Sequence, residues 1–163
     1  MPFTPFHLGP ASSLDLAFNR FLNLTAFVIA GIIIDIEPFA VLFFNLNYPL
    51  HGFFHSFLGS SIVAVVMAFL ITGFSKGIRQ ITAFIRIKQN FSKRAIWLAS
   101  FSGAYLHILL DAPLYTDIRP FYPLGGNPFY GLIGASAIYI LCAALLLAGV
   151  FVYLHKIKNS TLS

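Results

Sequence analysis

Charged residues are scarce in this sequence. Only 9% of its 163 residues are charged and 58% are hydrophobic, whereas a soluble domain carries roughly a quarter charged residues. The composition therefore excludes water as the main solvent of the chain. The length fits one integral membrane domain over residues 1–163.

Cysteine is also scarce, and so is positive charge in the first residues of the sequence. The single cysteine, Cys142, lies in an apolar run, which excludes an intrachain disulfide framework and a cysteine-based metal site. Residues 1–8 contain no Lys or Arg, whereas a secretory signal begins with positive charge. We therefore expect the first hydrophobic segment to be retained.

Long apolar runs are present, and a helix that spans the bilayer needs about 20 such residues. They predict four transmembrane helices, the first of them short, at residues 21–36, 53–74, 95–114 and 130–154. Residues 10–18 predict a further short helix, which the polar Asn19 and Arg20 would join to the first span as a hairpin. The expected fold is an all-α membrane protein, a bundle of four transmembrane helices with a short N-terminal re-entrant or hairpin helix.

The cations are distributed unevenly between the two sides of these spans. All of the ten Lys and Arg except Arg119 fall on one side, and short cytoplasmic loops are enriched in such residues. We therefore expect both chain ends and the basic connection at residues 73–94 in the cytoplasm. Apolar residues at helical spacing within that connection predict an interfacial basic amphipathic helix on anionic lipid, and no nucleic acid partner is expected. On the opposite side an aromatic belt is predicted at Tyr48, Tyr115, Tyr122 and Tyr130.

The few acidic residues are concentrated with histidines at the predicted outer side. His51 and His55 begin the second predicted span, where their spacing would set both on one helical face, and His107 and Asp111 repeat that spacing. Ionisable residues in a membrane need a partner, a cavity or an ion. We therefore predict a divalent metal site, with zinc, manganese and iron left open, formed by Asp35, His51, His55, His107 and Asp111.

Other polar residues nearby have catalytic or structural interpretations. Glu37 and Asp117 would orient ligands or act as a general base, and Arg119 would bind a phosphate. Alternatively, Glu37 ends a helix before Pro38, Asp117 is a turn residue, and Arg119 is a solvated loop charge. The histidine pairs have an alternative too, as interhelical hydrogen-bonding groups.

His7 is the remaining candidate ligand. Its segment is too short and too rich in proline to span a membrane, so it is either a disordered tail or part of the hairpin. If the helix at residues 10–18 climbs back into the bundle, it carries His7 towards the metal.

The motifs resemble those of a known family. They are the start Pro-Phe-Thr-Pro-Phe-His, then Asp35-Ile-Glu-Pro, His51-Gly-Phe-Phe-His55-Ser and His107-Ile-Leu-Leu-Asp111. Together they resemble the YdjM-like family of bacterial and archaeal inner-membrane proteins, described as metal-dependent hydrolases. Many members have an Arg after the first His and a four-residue gap before the second, whereas this chain has Gly52 and a three-residue gap.

A more distant likeness is to the zinc-dependent phospholipase C and P1 nuclease fold, whose helical enzymes cleave phosphoesters. It implies zinc, with His7, Asp35, His55, His107 and Asp111 as ligands. The chain lacks the further downstream His-x-x-x-Asp of those enzymes, so we expect one or two ions. 

The sequence thus predicts a metal-dependent hydrolase of the inner membrane, acting on a phosphoester of a lipid or lipid-linked substrate at the outer face. The alternative is a metal-ion transporter or a metal-binding membrane sensor or scaffold, because His and Asp lining a bundle also describe an ion pathway.

Overall fold

The structure is a computed structural model that describes residues 21–84, 87 and 89–160. Within these residues all regular secondary structure is helical, as predicted. The α-helices are α1 Leu24–Ile32, α2 Ile36–Phe43, α3 Phe57–Gly73, α4 Ser75–Phe84, α5 Lys93–Asp111 and α6 Ala135–Ser160, and two short 3-10 helices lie at Ile33–Asp35 and Phe53–His55. The predicted N-terminal helix at residues 10–18 and the candidate ligand His7 lie outside the described residues.

The first apolar segment is longer than the sequence pattern indicated. Helix α1 begins after Asn23, whose side chain accepts a hydrogen bond from Ala26 N at 2.9 Å. Through the 3-10 turn at Ile33–Asp35 it continues into α2, so that the helical segment Leu24–Phe43 is long and apolar enough to cross a membrane. The sequence pattern predicts an end at residue 36, directly before Glu37 and Pro38. Pro38, however, lies in the first turn of α2, where a missing N–H is tolerated.

Four transmembrane helices are not confirmed. Two segments of the described chain, Leu24–Phe43 and Ala135–His155, are long and apolar enough to span, and α3 with α4 gives a third only if the 77° bend between them is part of one span. Helix α5 covers most of the predicted span at residues 95–114 but does not qualify. Lys93 and Arg94 at its start and His107 and Asp111 at its end reduce its apolar length.

The second predicted span begins later than expected. Helix α3 starts at Phe57, capped by Ser56, whose hydroxyl accepts a hydrogen bond from Gly59 N. His51 therefore lies in the preceding loop and His55 in the 3-10 helix. The prediction that both imidazoles occupy one face of an α-helix is wrong, because the chain is not α-helical there.

Helix α5 packs in the centre of the molecule, against α1 on one side and α3 on the other. Small residues allow the close approach to α1: a Cβ on Gly103 would overlap the carbonyl oxygen of Phe27, and a Cβ on Gly31 would meet the Gly103 carbonyl oxygen at 3.3 Å. Two apolar clusters fill the spaces between these three helices. The packing fixes the C-terminal end of α5, which carries His107 and Asp111, beside the 3-10 turn that carries Asp35.

Helix α4 is the separate basic helix expected after the second span. Its apolar residues Ile81 and Phe84 are 67% and 89% exposed, and Lys76 and Arg79 are exposed as well. An exposed apolar and basic surface of this kind is typical of a helix at a lipid interface. Its contact with anionic lipid stays a prediction.

Candidate metal site

Four side chains from three parts of the chain converge on one point. They are Asp35 at the end of the first 3-10 turn, His55 at the end of the second, and His107 with Asp111 on the last turns of α5. One ligand atom from each lies within 4.8 Å of the corresponding atoms of the other three. We call these four residues the metal group. All four belong to the set predicted from the sequence.

The distances within the metal group suit a shared ion. Nε2 of His107 lies 3.4 Å from Nε2 of His55, and 3.5 Å from a carboxylate oxygen of both Asp35 and Asp111. Nε2 of His55 lies 4.0 Å from the Asp35 oxygen. These separations exceed the roughly 2.7–3.2 Å of an N–H···O hydrogen bond. Tetrahedral ligands about 2.0–2.1 Å from a zinc ion lie roughly 3.3–3.4 Å apart, close to the distances found.

Burial of the metal group requires a compensating interaction. His55, His107 and Asp111 are all at most 2% exposed, and Asp35 is 9% exposed. Removing carboxylates from water is costly unless a counter-charge is present. A divalent cation supplies that charge, and the imidazole and carboxylate donors suit zinc as well as manganese and iron. The donor set therefore fits a metal ion without selecting which one.

Glu37 orients one of the imidazoles. Its Oε2 lies 2.9 Å from Nδ1 of His55 and also accepts a hydrogen bond from Gly52 N, while Oε1 accepts one from Phe54 N. With the Nδ1–H of His55 donating to this carboxylate, the lone pair on Nε2 faces the metal group. The same carboxylate thus fixes the ring orientation and the loop that carries it, as carboxylates behind metal-bound histidines commonly do.

His51 and Asp117 form a second pair beside the metal group. The backbone N–H of His51 donates to Asp117 at 3.0 Å, and Nδ1 lies 3.0 and 3.1 Å from its two carboxylate oxygens. The His51 ring lies 4.8 Å from the His55 ring and 4.2 Å from the Tyr115 ring, centroid to centroid. His51 therefore contacts His55, a member of the metal group, but is not itself one of the four members.

Electrostatics in this pair favour a neutral imidazole beside a carboxylate. Burial lowers the pKa of His51 and outweighs the hydrogen bond to Asp117, which acts in the opposite direction. Burial alone would raise the pKa of Asp117, but the hydrogen bonds from His51 and smaller favourable contributions together outweigh burial and lower that pKa. Burial also raises the pKa of Tyr115. Near neutral pH the pair is thus His51 without charge and Asp117 with its charge.

Arg119 takes no part in either cluster. It is exposed, and within the described part of the chain no carboxylate lies at ion-pair distance from it. It lines a cavity of about 360 Å³ together with His51, Asp117 and the tyrosines Tyr48 and Tyr122. The sequence had placed these tyrosines only in an aromatic belt, and nothing in their spacing indicated that two distant loops close one cavity.

Comparison with known proteins identifies one family. The family model described as YdjM inner membrane protein matches residues 8–162. No curated protein matches the chain. No solved structure matches it either, so the likeness to phospholipase C and P1 nuclease stays a prediction. With nearly the whole chain matched and two apolar helices compatible with membrane insertion, this protein belongs to the YdjM inner membrane protein family.

Proposed function

We propose that this protein is a metal-dependent hydrolase that acts on a phosphoester of a lipid or lipid-linked substrate at the outer membrane face. The observation that supports the proposal is the metal group, in which Asp35, His55, His107 and Asp111 place four donor atoms within 4.8 Å of one another. An ion bound there, zinc by the likeness to zinc-dependent phosphoesterases, would supply a Lewis acid for polarising a phosphoryl oxygen and activating water.

The surrounding residues have separate roles in this proposal. Glu37 is a positioning residue, since its two oxygens are engaged by His55 and by the N–H groups of Gly52 and Phe54. The His51–Asp117 pair is the candidate for moving a proton, because a neutral imidazole oriented by a carboxylate is the usual arrangement of a general base. Arg119 is the candidate for binding the anionic substrate.

Lipid is favoured as the substrate because of where the site lies in the chain. Asp35 is inside the apolar segment Leu24–Phe43, and its neighbours Ile36, Phe39 and Phe43 are 54–70% exposed. Exposed apolar residues of this size are expected to face lipid in a membrane protein. The cation distribution supports the outer side of the membrane, because Arg119 is separated along the chain from the other nine Lys and Arg.

Hydrolysis of chromogenic phosphate monoesters and diesters by the purified protein tests the proposal. We expect turnover that a chelator removes, that added zinc or manganese restores, and that His55→Ala and Asp111→Asn each lower at least about 100-fold. Lys93→Ala, at the opposite end of α5 from Asp111, is the matched control and should retain full turnover.

Two results would contradict the proposal. One is unchanged turnover in both site variants while their thermal unfolding matches that of the wild type. The other is metal-dependent flux through reconstituted vesicles without hydrolysis, which would identify a transporter instead.

A further inference from the structure

The cavity beside the metal group contains two opposite charges that are not paired with each other. Arg119 and Asp117 both line it, and no ion pair joins them in the described part of the chain. The Asp117 side chain is 37% exposed even though His51 donates two hydrogen bonds to it, so its carboxylate still faces the cavity. The cavity therefore offers a cation and an anion to one ligand and has no net charge.

Aromatic rings form much of the remaining wall. Tyr48, Phe53 and Tyr122 line the cavity, and the rings of Phe53 and Tyr122 meet edge to face at 5.6 Å. The Tyr48 hydroxyl accepts a hydrogen bond from Phe53 N, which fixes the Tyr48 side chain within its own loop. Aromatic faces attract ammonium groups, including quaternary ones. An ammonium near Asp117 is thus favoured by both the carboxylate and the rings.

The cavity is built from loops that are held in place. Phe57 N, at the start of α3, donates to Pro120 O at 2.8 Å, which joins the segment carrying His51 and His55 to the segment carrying Asp117 and Arg119. Asn127 Nδ2 donates to the carbonyl oxygens of Ala112 and Tyr115. The volume, about 360 Å³, lies within the roughly 300–1,000 Å³ of ligand pockets.

Exposed apolar residues lie close in sequence to both segments that form the cavity. Phe43 and Phe44 are 70% and 66% exposed just before the loop that leads to Tyr48, and Leu124 is 70% exposed just after Tyr122. A ligand with an acyl chain can therefore place its polar end in the cavity and leave the chain on these surfaces. His51 lines the cavity and also contacts His55. The His51 ring therefore lies between the metal group and a polar group bound in the cavity.

We propose that this cavity binds the zwitterionic headgroup of a membrane phospholipid, with the phosphate at Arg119 and the ammonium between Asp117 and the aromatic rings. The inference rests on the proposed function for its substrate class and narrows that class to phosphoammonium lipids. A simple phosphate monoester satisfies Arg119 but leaves its remaining negative charge beside Asp117. A dipolar headgroup satisfies both charges.

Binding to chelator-treated protein tests this proposal independently of hydrolysis. The probes are lysophosphatidylethanolamine, lysophosphatidic acid and monoacylglycerol with one short acyl chain, below their micelle-forming concentrations, and inorganic phosphate as a competitor. We expect lysophosphatidylethanolamine to bind about tenfold or more tightly than the other two lipids, because each charged contact contributes separately. Inorganic phosphate should not displace it at equal concentration.

Two variants distinguish loss of the Arg119 charge from general effects on lipid binding. Arg119→Gln should weaken lysophosphatidylethanolamine binding about tenfold or more and leave monoacylglycerol binding unchanged, and Lys93→Gln should alter neither. Equal binding of all three lipids, tighter binding of lysophosphatidic acid, displacement by inorganic phosphate, or no effect of Arg119→Gln would each overturn the proposal. Headgroup binding without any hydrolysis would overturn the proposed function alone, and hydrolysis without Arg119-dependent binding would overturn the headgroup site alone.

Discussion

The carboxylate of Glu37 lies 2.9 Å from Nδ1 of His55, on the side of the imidazole opposite the metal group. Both residues are buried, so this interaction is little screened by solvent. Glu37 follows Asp35 by two residues in the same helical segment. One short stretch thus supplies a ligand and the group that orients another ligand from a different part of the chain.

Replacing Glu37 by Gln should weaken metal binding about 10- to 100-fold. The amide keeps the size of the side chain but loses the charge, and it leaves at least one of the donors His55, Gly52 and Phe54 without an acceptor. Metal titration by calorimetry against a competing chelator measures the change. Asp117→Asn is the matched control, since that carboxylate orients His51 and not a member of the metal group, and an equal loss in both variants would contradict the role given to Glu37.

Gly103→Ala should lower the free energy of unfolding by about 1–3 kcal/mol. The added methyl group would overlap the Phe27 carbonyl oxygen and force α1 away from α5. Gly77→Ala in α4 is the control, because nothing lies within 4 Å of the added atom and an alanine in a helix interior is favoured by about 0.5–1 kcal/mol. Thermal unfolding in detergent measures both variants, and equal midpoints would show that the close α1–α5 packing is not needed.

The topology predicted from the cations can be tested with single cysteines. In a Cys142→Ser background, Gly77→Cys and Gly125→Cys each introduce a thiol at an exposed glycine with nothing within 4 Å of the added Cβ. A membrane-impermeant maleimide should label the cysteine at position 125 in intact spheroplasts and the one at position 77 only in inverted vesicles. The reverse pattern would place the metal group on the cytoplasmic side.

Stability should decrease as the pH falls below about 6.5, partly because of His51. Its pKa is lowered in the folded protein from the ordinary value of 6.5, so the unfolded chain takes up the proton first. The contribution of His51 to the free energy of unfolding is therefore present above pH 6.5 and is lost as the pH falls through its folded-state pKa. The lowered pKa of Asp117 has the same sign and acts at still lower pH. The unfolding midpoint of His51→Gln, measured from pH 8 to pH 5, should fall less steeply than that of the wild type, and parallel curves would contradict this origin.

The sequence was sufficient to predict the four members of the metal group, although with His51 added to them, because three of the four have a strong local signal. Asp35, His107 and Asp111 are ionisable residues within long apolar runs, where only a partner, a cavity or an ion makes them tolerable. The prediction that His107 and Asp111 are an i, i+4 pair on one helix is confirmed, since both lie on α5. His55 was identified for the wrong geometric reason, because it lies in a 3-10 helix ahead of α3.

The sequence could not predict how the helices end or which loops meet. Glu37 and Pro38 indicated the end of a span, yet the helix continues because the carboxylate is satisfied by long-range contacts with His55 and its loop. The long apolar centre of helix α5 predicts a span, but the charged residues at its ends shorten the apolar length. The pairing of His51 with Asp117 joins loops 66 residues apart in sequence, and no local pattern encodes such a contact.

The central claim is that the metal group binds an ion, and elemental analysis by mass spectrometry tests it most directly. Protein purified gently without chelators should contain zinc, manganese or iron at one or two ions per chain. The double variant His55→Ala, Asp111→Ala should contain less than about a tenth of that amount while retaining its helical content by circular dichroism. No metal in the wild type, or the same metal content in the variant, would contradict the account.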